Sequence, residues 1–121
     1  MKIYLFRHGE TDWNKQRRLQ GQSDVPLNAF GIELAARTAK ALEQEGTVFD
    51  RAFSSPLSRA LETARILVGG RDIPLETDIR LMEMNFGTYE GGVFDPPKTD
   101  PSHPLHNFLC RPECYVPSAG A

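Results

Sequence analysis

The chain opens on four apolar residues in a row, Ile3-Tyr4-Leu5-Phe6, which stop abruptly at Arg7-His8-Gly9. A short continuous apolar run of this kind predicts a strand buried on both faces, as in the middle of an α/β sheet. The polar, glycine-containing stretch 9–25 predicts a long loop, and loops of that length inside compact domains commonly carry function. Asn28 then stands as an N-cap, and Gly46 as a stop, for a helix over residues 29–45. Its predicted buried stripe is Ile32, Leu34, Ala35, Thr38, Ala41 and Leu42. Val48-Phe49 and Ala52-Phe53 predict a second buried strand ending at Ser54-Ser55. Ser55 is an N-cap candidate and Pro56 suits the first helical position. The stripe Leu57, Ala60, Leu61, Ala64, Leu67 and Val68 marks the helix that follows, ended by Gly69-Gly70. A short strand is predicted within 73–81, and a glycine-bounded loop over 82–92 carries Glu83, Phe86, Tyr89 and Glu90. Strand, loop and helix repeated in this order is the grammar of an α/β fold.

Length and composition add limits. A chain of 121 residues has room for one domain. Six of the nine prolines lie after residue 92, so 1–92 reads as the α/β core and 93–121 as a loop segment with a short helix near 105–109. A net charge of −2 gives no reason to expect nucleic acid or an anionic membrane as partner. The first 68 residues are nonetheless net basic and hold Arg7, Lys15, Arg17, Arg18 and Arg59, so an anionic ligand belongs there. No apolar stretch approaches the length of a membrane span, and the opening run is too short for a signal peptide. Cys110 and Cys114 do not make a disulfide framework, and the expected setting is cytoplasmic.

The candidate chemistry gathers at strand ends, where open α/β sheets bind their ligands. Neutral imidazole is a nucleophile near pH 7, and the guanidinium of Arg7 beside His8 discourages its protonation and binds an anion in a fork. Gly9 lets a ligand approach the backbone closely. Arg59, in the first turn of the helix after Ser54-Ser55, offers a second fork, and the amino end of that helix adds N–H groups and a positive dipole end. Phosphoryl transfer needs positioning, charge neutralisation and a proton for the leaving oxygen. Glu83, flanked by Met82 and Met84, is the candidate acid, since apolar surroundings raise a carboxyl pKa. Glu10, Asp12 and Glu90 compete for that role. Arg59 also has a structural alternative in pairing with Glu62, Arg17 and Arg18 read first as surface charge, and Phe86 and Tyr89 as packing residues.

Four blocks in order resemble the histidine phosphatase superfamily, in its phosphoglycerate mutase-like branch. They are Arg7-His8-Gly9-Glu10-Thr11 with Asn14; Gly21 to Leu27 followed by Gly31; Ser54-Ser55-Pro56 with Arg59-Ala60 and Thr63-Ala64; and Glu83 with Phe86-Gly87 and Glu90-Gly91. The resemblance implies a three-layer phosphoglycerate mutase-like fold with a mostly parallel central sheet, incomplete in this chain. It implies that His8 forms a phosphohistidine, that Arg7 and Arg59 clamp the phosphoryl group and that Glu83 serves as acid then base. Thr11, Asn14, Gln20 and Gly21 would line the phosphate pocket. No metal or other cofactor is implied.

The sequence also departs from that pattern. Family members are longer and carry a later Ser/Gly-His-Gly block with a second histidine, whereas here only His103 and His106 follow. Pro112 to Pro117 resembles the segment just ahead of a Gly-Glu-Ser helix start, so the chain reads as the N-terminal part of such an enzyme. A partner chain, a swapped copy or a separate C-terminal fragment is then expected to cover exposed strand edge. The leading expectation is a phosphomonoester hydrolase acting on a small phosphorylated metabolite. Phosphoglycerate mutase-type transfer, or a fragment that binds phosphate without turnover, are its alternatives. His103, His106, Cys110 and Cys114 are zinc-ligand types, but their spacing is not a known finger pattern and Pro112 interrupts it.

Overall fold

The structure, a computed structural model, describes residues 1–93 and 100–121. Part of the proline-rich segment, 94–99, lies outside the described residues. The chain forms two compact units, one of Met1–Asp12 with Asp24–Met82 and one of Trp13–Ser23 with Glu83–Ala121.

The first unit is built on two helices and a small parallel sheet. Helix α2 (Ala29–Gln44) starts where the sequence places it, with the Asn28 side chain accepting the Gly31 N–H. It ends at Glu45, ahead of Gly46 at φ +71°. Before it, one helical turn, α1 (Asp12–Lys15), occupies part of the stretch expected to be loop. Strand β1 (Ala52–Ser54) leads into helix α3 (Ser58–Val68) and on to strand β2 (Leu75–Thr77). The two strands are parallel and in register from Ala52–Leu75 to Ser54–Thr77, and α2 and α3 pack on each other. A strand–helix–strand unit with parallel strands is the α/β arrangement the sequence pattern predicts.

Three expectations need correction. Residues 3–6 join no strand ladder, and Ile3 and Leu5 are 78% and 95% exposed. An apolar run becomes a buried strand only when neighbours pair with it and cover both faces, and no described segment pairs with it. The second strand is only Ala52–Ser54, with Val48 and Phe53 exposed. The stripes also rotate. On α2 Gly31, Ala35 and Leu42 are buried while Ile32 and Leu34 are not, and on α3 the buried row is Arg59, Thr63 and Leu67. Arg59, Thr63 and Leu67 are spaced four apart on one helix face. That face is selected by a hydrogen bond to Thr63 from Gly9, which hydrophobicity cannot signal.

Arg71 ties off the helix ends. Its Nη2 and Nε donate to the carbonyls of Leu67 (3.1 Å) and Val68 (3.3 Å), Nη1 donates to Thr47 O (2.8 Å), and the guanidinium lies 5.2 Å from the Phe49 ring centre. Carbonyls at a helix end lack intrahelical partners, and the guanidinium supplies donors to them.

In the second unit, residues 18–19 run beside 91–93. Leu19 N donates to Gly92 O, Gly91 N donates to Leu19 O, and Arg18 bridges Val93. Phe86 is buried edge-on against Phe108, which meets Tyr115, and Ser118 Oγ donates to Phe86 O (2.6 Å). The short helix expected near 105–109 is α4 (His106–Cys110). No helix of the described residues is long and apolar enough to cross a membrane.

Candidate functional site

His8 lies where the apolar run ends, half-buried, with Nδ1 2.7 Å from the carbonyl of Gly9. A carbonyl oxygen only accepts, so Nδ1 carries a proton, and in the neutral ring the lone pair is on Nε2. Nδ1 donating to a backbone carbonyl both fixes the tautomer and holds the ring. That is the protonation state a nucleophilic imidazole needs.

The next residue links this segment to α3. Gly9 N–H donates to Thr63 Oγ1 (3.0 Å), and the Thr63 hydroxyl donates to the Arg59 carbonyl one turn back (2.7 Å). Residues 8–9 and the first turns of α3 are therefore joined through one buried threonine. Arg59, only 3% exposed, is no solvated surface residue. Arg7 is exposed. In the sequence Thr63 stands out only as part of a motif. Its signal was a hydroxyl on the same helix face as Arg59.

Two readings of the sequence change. Gly9 does not leave room for a ligand. A Cβ there would lie 2.7 Å from Gly31 O, so the missing side chain makes space for the first turn of α2. The amino end of α3 is likewise already engaged. Ser58 N–H donates to Asp24 Oδ1 (2.7 Å) and Leu57 N–H to Ser55 Oγ (3.2 Å). Hydrogen bonding from Ser58, then the charge of Arg59, holds the Asp24 carboxyl below its usual range despite some burial. Asp24 was missed because its partner is thirty-four residues away.

Glu10 is committed to α2. Its backbone oxygen accepts from Asn28 N–H (2.9 Å) and its carboxylate from Asn28 Nδ2 (3.0 Å). Thr11 is fully buried and bridges Leu27. A groove of about 360 Å³ in this unit has Pro26, Leu27, Ile32, Pro56, Leu61 and Arg65 among its walls, and neither His8 nor Arg59 lines it.

Asn14, Gln20, Gly21 and Glu83 belong to the second unit, with Gln20 and Gly21 buried. Glu83 is exposed and accepts the Met84 N–H (2.8 Å), so flanking methionines do not bury it. The enclosed carboxylate is Glu90. It accepts from the N–H groups of Gln22 (2.9 Å), Ser23 (2.8 Å) and Phe86 (3.0 Å) and from the Ser23 hydroxyl. Burial alone would push its carboxyl up, but these donors outweigh it and hold it below the usual value. Gly21, at φ +55°, is required beside it, because a Cβ would overlap Glu90 Oε1.

Glu90 is thus a framework acid, and its lowered pKa fixes a sign. The stability it adds is present above the unfolded carboxyl value of about 4.3 and is lost as pH falls through the lower folded value. Glu90→Gln should cost about 2 kcal/mol at pH 7, read as a lower urea midpoint, and the gap to the parent chain should close in acid. A gap that stays constant with pH would contradict this.

Among the described residues, no group of three or more His, Cys, Asp or Glu is placed to hold a metal ion. Cys110 and Cys114 are free and exposed.

Comparison with known proteins sets this geometry in context. The profile of the histidine phosphatase superfamily (branch 1) matches residues 3–121. A protein named probable phosphoglycerate mutase GpmB, from Yersinia pestis (strain Pestoides F), is 41% identical over 95 residues, covering 78% of this chain and 43% of its own. Bacillus stearothermophilus YhfR superposes with a TM-score of 0.80 at 40% identity, over 93% of this chain and 55% of that one. The phosphoserine phosphatase of Entamoeba histolytica, solved with 3-phosphoglyceric acid, gives 0.74 at 34% identity over 94% and 55%. The α/β fold is therefore of the phosphoglycerate mutase-like kind, and the chain spans about half the length of the relatives it matches.

Proposed function

Because the chain belongs to the histidine phosphatase superfamily (branch 1), we propose that it is a phosphomonoester hydrolase that forms a phosphohistidine on His8. The substrate is a small phosphorylated metabolite. Nε2 attacks phosphorus, the P–O ester bond breaks and its electron pair leaves with the alcohol oxygen, which takes a proton. Water then attacks the phosphohistidine, the P–N bond breaks, and inorganic phosphate and neutral imidazole result. Arg7 and Arg59 neutralise charge on the transferring group, each charge-assisted hydrogen bond contributing about 1.5–3 kcal/mol. Thr11, Asn14, Gln20 and Gly21 keep their assignment to the phosphate pocket on the resemblance alone.

The observation that carries the reading is the 2.7 Å hydrogen bond from His8 Nδ1, which in the neutral ring puts the lone pair on Nε2. The test is release of inorganic phosphate from an aryl phosphate, with Arg59→Ala as comparator. Release by the parent chain and its loss in the variant support hydrolysis. If phosphate only raises the melting temperature and no hydrolysis is detected, the chain binds without turnover, a reading favoured by its covering 43% of the Yersinia relative. That relative's name favours the mutase alternative, which isomerisation of 3-phosphoglycerate would reveal.

Glu83 is retained as the proton donor, and leaving-group chemistry isolates that role. Glu83→Gln should slow an alkyl phosphate, whose alkoxide needs a proton, by about 10²–10⁴-fold, and leave an aryl phosphate nearly unchanged. Equal slowing of both would remove Glu83 from acid catalysis.

A further inference from the structure

Two thiols stand close together where the second unit folds back on itself. Cys110 is the last residue of α4, and Cys114 ends a 3-10 turn over Pro112–Cys114; both are free and exposed. Arg111 joins the two elements, and a hydrogen bond closes the chain on each side of it. Arg111 N–H donates to Asn107 O (2.9 Å) and Cys114 N–H donates to Arg111 O (2.8 Å). Asn107 and Cys110, three apart on α4, share a helix face. The Asn107 side-chain amide donates to the Cys114 carbonyl (3.2 Å), so the backbone of Cys114 is drawn onto the face that carries Cys110. Between the two cysteines, Glu113 Oε1 lies 3.7 Å from Arg111 Nε and 3.9 Å from the Cys114 sulfur. Pro112 has a fixed φ, which narrows the states the connecting residues can take. Ring packing also holds the fold-back, since Tyr115 meets Phe108 at 5.4 Å and Phe108 meets the buried Phe86 at 5.1 Å.

We propose that Cys110 and Cys114 form a dithiol modification site whose co-reactant is a low-molecular-weight disulfide such as oxidised glutathione. One protein thiolate attacks a sulfur of that disulfide. Its S–S bond breaks, a mixed disulfide forms and one small thiol leaves. The second protein thiolate then attacks the protein sulfur of the mixed disulfide and displaces the other small thiol. The protein loses two hydrogens, and one small disulfide becomes two thiols. Among the described residues, no further His, Cys, Asp or Glu completes a metal-holding group with the pair, so two-sulfur chemistry suits it better than a metal ion. The inference is independent of the catalytic reading.

The test is to equilibrate the full chain with mixtures of reduced and oxidised glutathione, quench by alkylation and identify the products by peptide mass spectrometry. The oxidised product should be an internal Cys110–Cys114 disulfide, lighter than the dithiol by two hydrogens. The same equilibrium gives the effective concentration of one thiol for the other. It should be at least about tenfold higher in the folded chain than in the chain unfolded in urea, where the five residues act as a flexible linker. Cys114→Ser and Cys110→Ser should each stop at a single glutathione adduct on the remaining cysteine.

A parent chain that stays a glutathione adduct, or whose disulfide joins two chains, would overturn the proposal. So would a single variant whose remaining cysteine takes no adduct. Equal effective concentrations in the folded and unfolded chain would also overturn it, because the fold would then do nothing to bring the thiols together. Turnover is not read, so a failure here is distinct from a failure of the catalytic proposal.

Discussion

Gly31→Ala is expected to destabilise the first unit by about 3 kcal/mol or more, enough to leave much of the protein unfolded if its total stability is ordinary. A Cβ at position 31 would overlap Glu10 O and lie 2.7 Å from Glu10 N. Both atoms are backbone, so no side chain can rotate aside. Relief requires the first turn of α2 to lift or residues 9–10 to move. Lifting would break the Asn28 hydrogen bonds to Glu10, and moving residues 9–10 would strain the Gly9–Thr63 bond. Gly70, where an added Cβ would meet nothing within 4 Å, supplies the control. Gly70→Ala should melt within about 0.5 kcal/mol of the parent. A Gly31→Ala chain with the parent's urea midpoint would mean that α2 does not approach residues 9–10 this closely.

The second large effect is chemical. His8→Ala should lower phosphate release from an aryl phosphate by about 10⁴-fold or more, because a lost nucleophile removes the covalent route as a whole. The fold should survive. The ring is half-buried, its Nδ1 bonds the carbonyl of the adjacent Gly9, and the Gly9–Thr63 link is made by the backbone. The contrast with Gly31→Ala is diagnostic: one variant melts normally and is inactive, and the other loses structure first. Activity within tenfold of the parent would take His8 out of the mechanism.

How far the sequence was legible depended on how local each signal was. Helix α2 was placed to within one residue because Asn28 caps it and Gly46 stops it, both by short-range geometry. Helix α3 was found, but it begins at Ser58 and not at Pro56, because Ser55 Oγ closes a turn onto Leu57 first. Its buried face was read in part: Leu57 and Leu67 are inside as expected, but so are Arg59 and Thr63, and the Thr63 hydroxyl accepts from Gly9 N–H. Asp24 and Glu90 were undervalued because their donors lie far away in sequence, from Ser58 to Asp24 and from Gln22 and Ser23 to Glu90. The strand expected at 3–6 had the right composition, but a ladder is a property of two segments, and composition reports only one. His8, by contrast, was conspicuous in the sequence: a histidine between an arginine and a glycine at the end of an apolar run.

The central claim is that Nε2 of His8 accepts a phosphoryl group. Its most direct test is rapid alkaline quenching of the chain during turnover of a phosphate ester, followed by peptide mass spectrometry. The account predicts a phosphoryl adduct on His8, stable to base, labile to acid and absent from His8→Ala. An adduct on another residue, or steady phosphate release with His8 never modified, would contradict it.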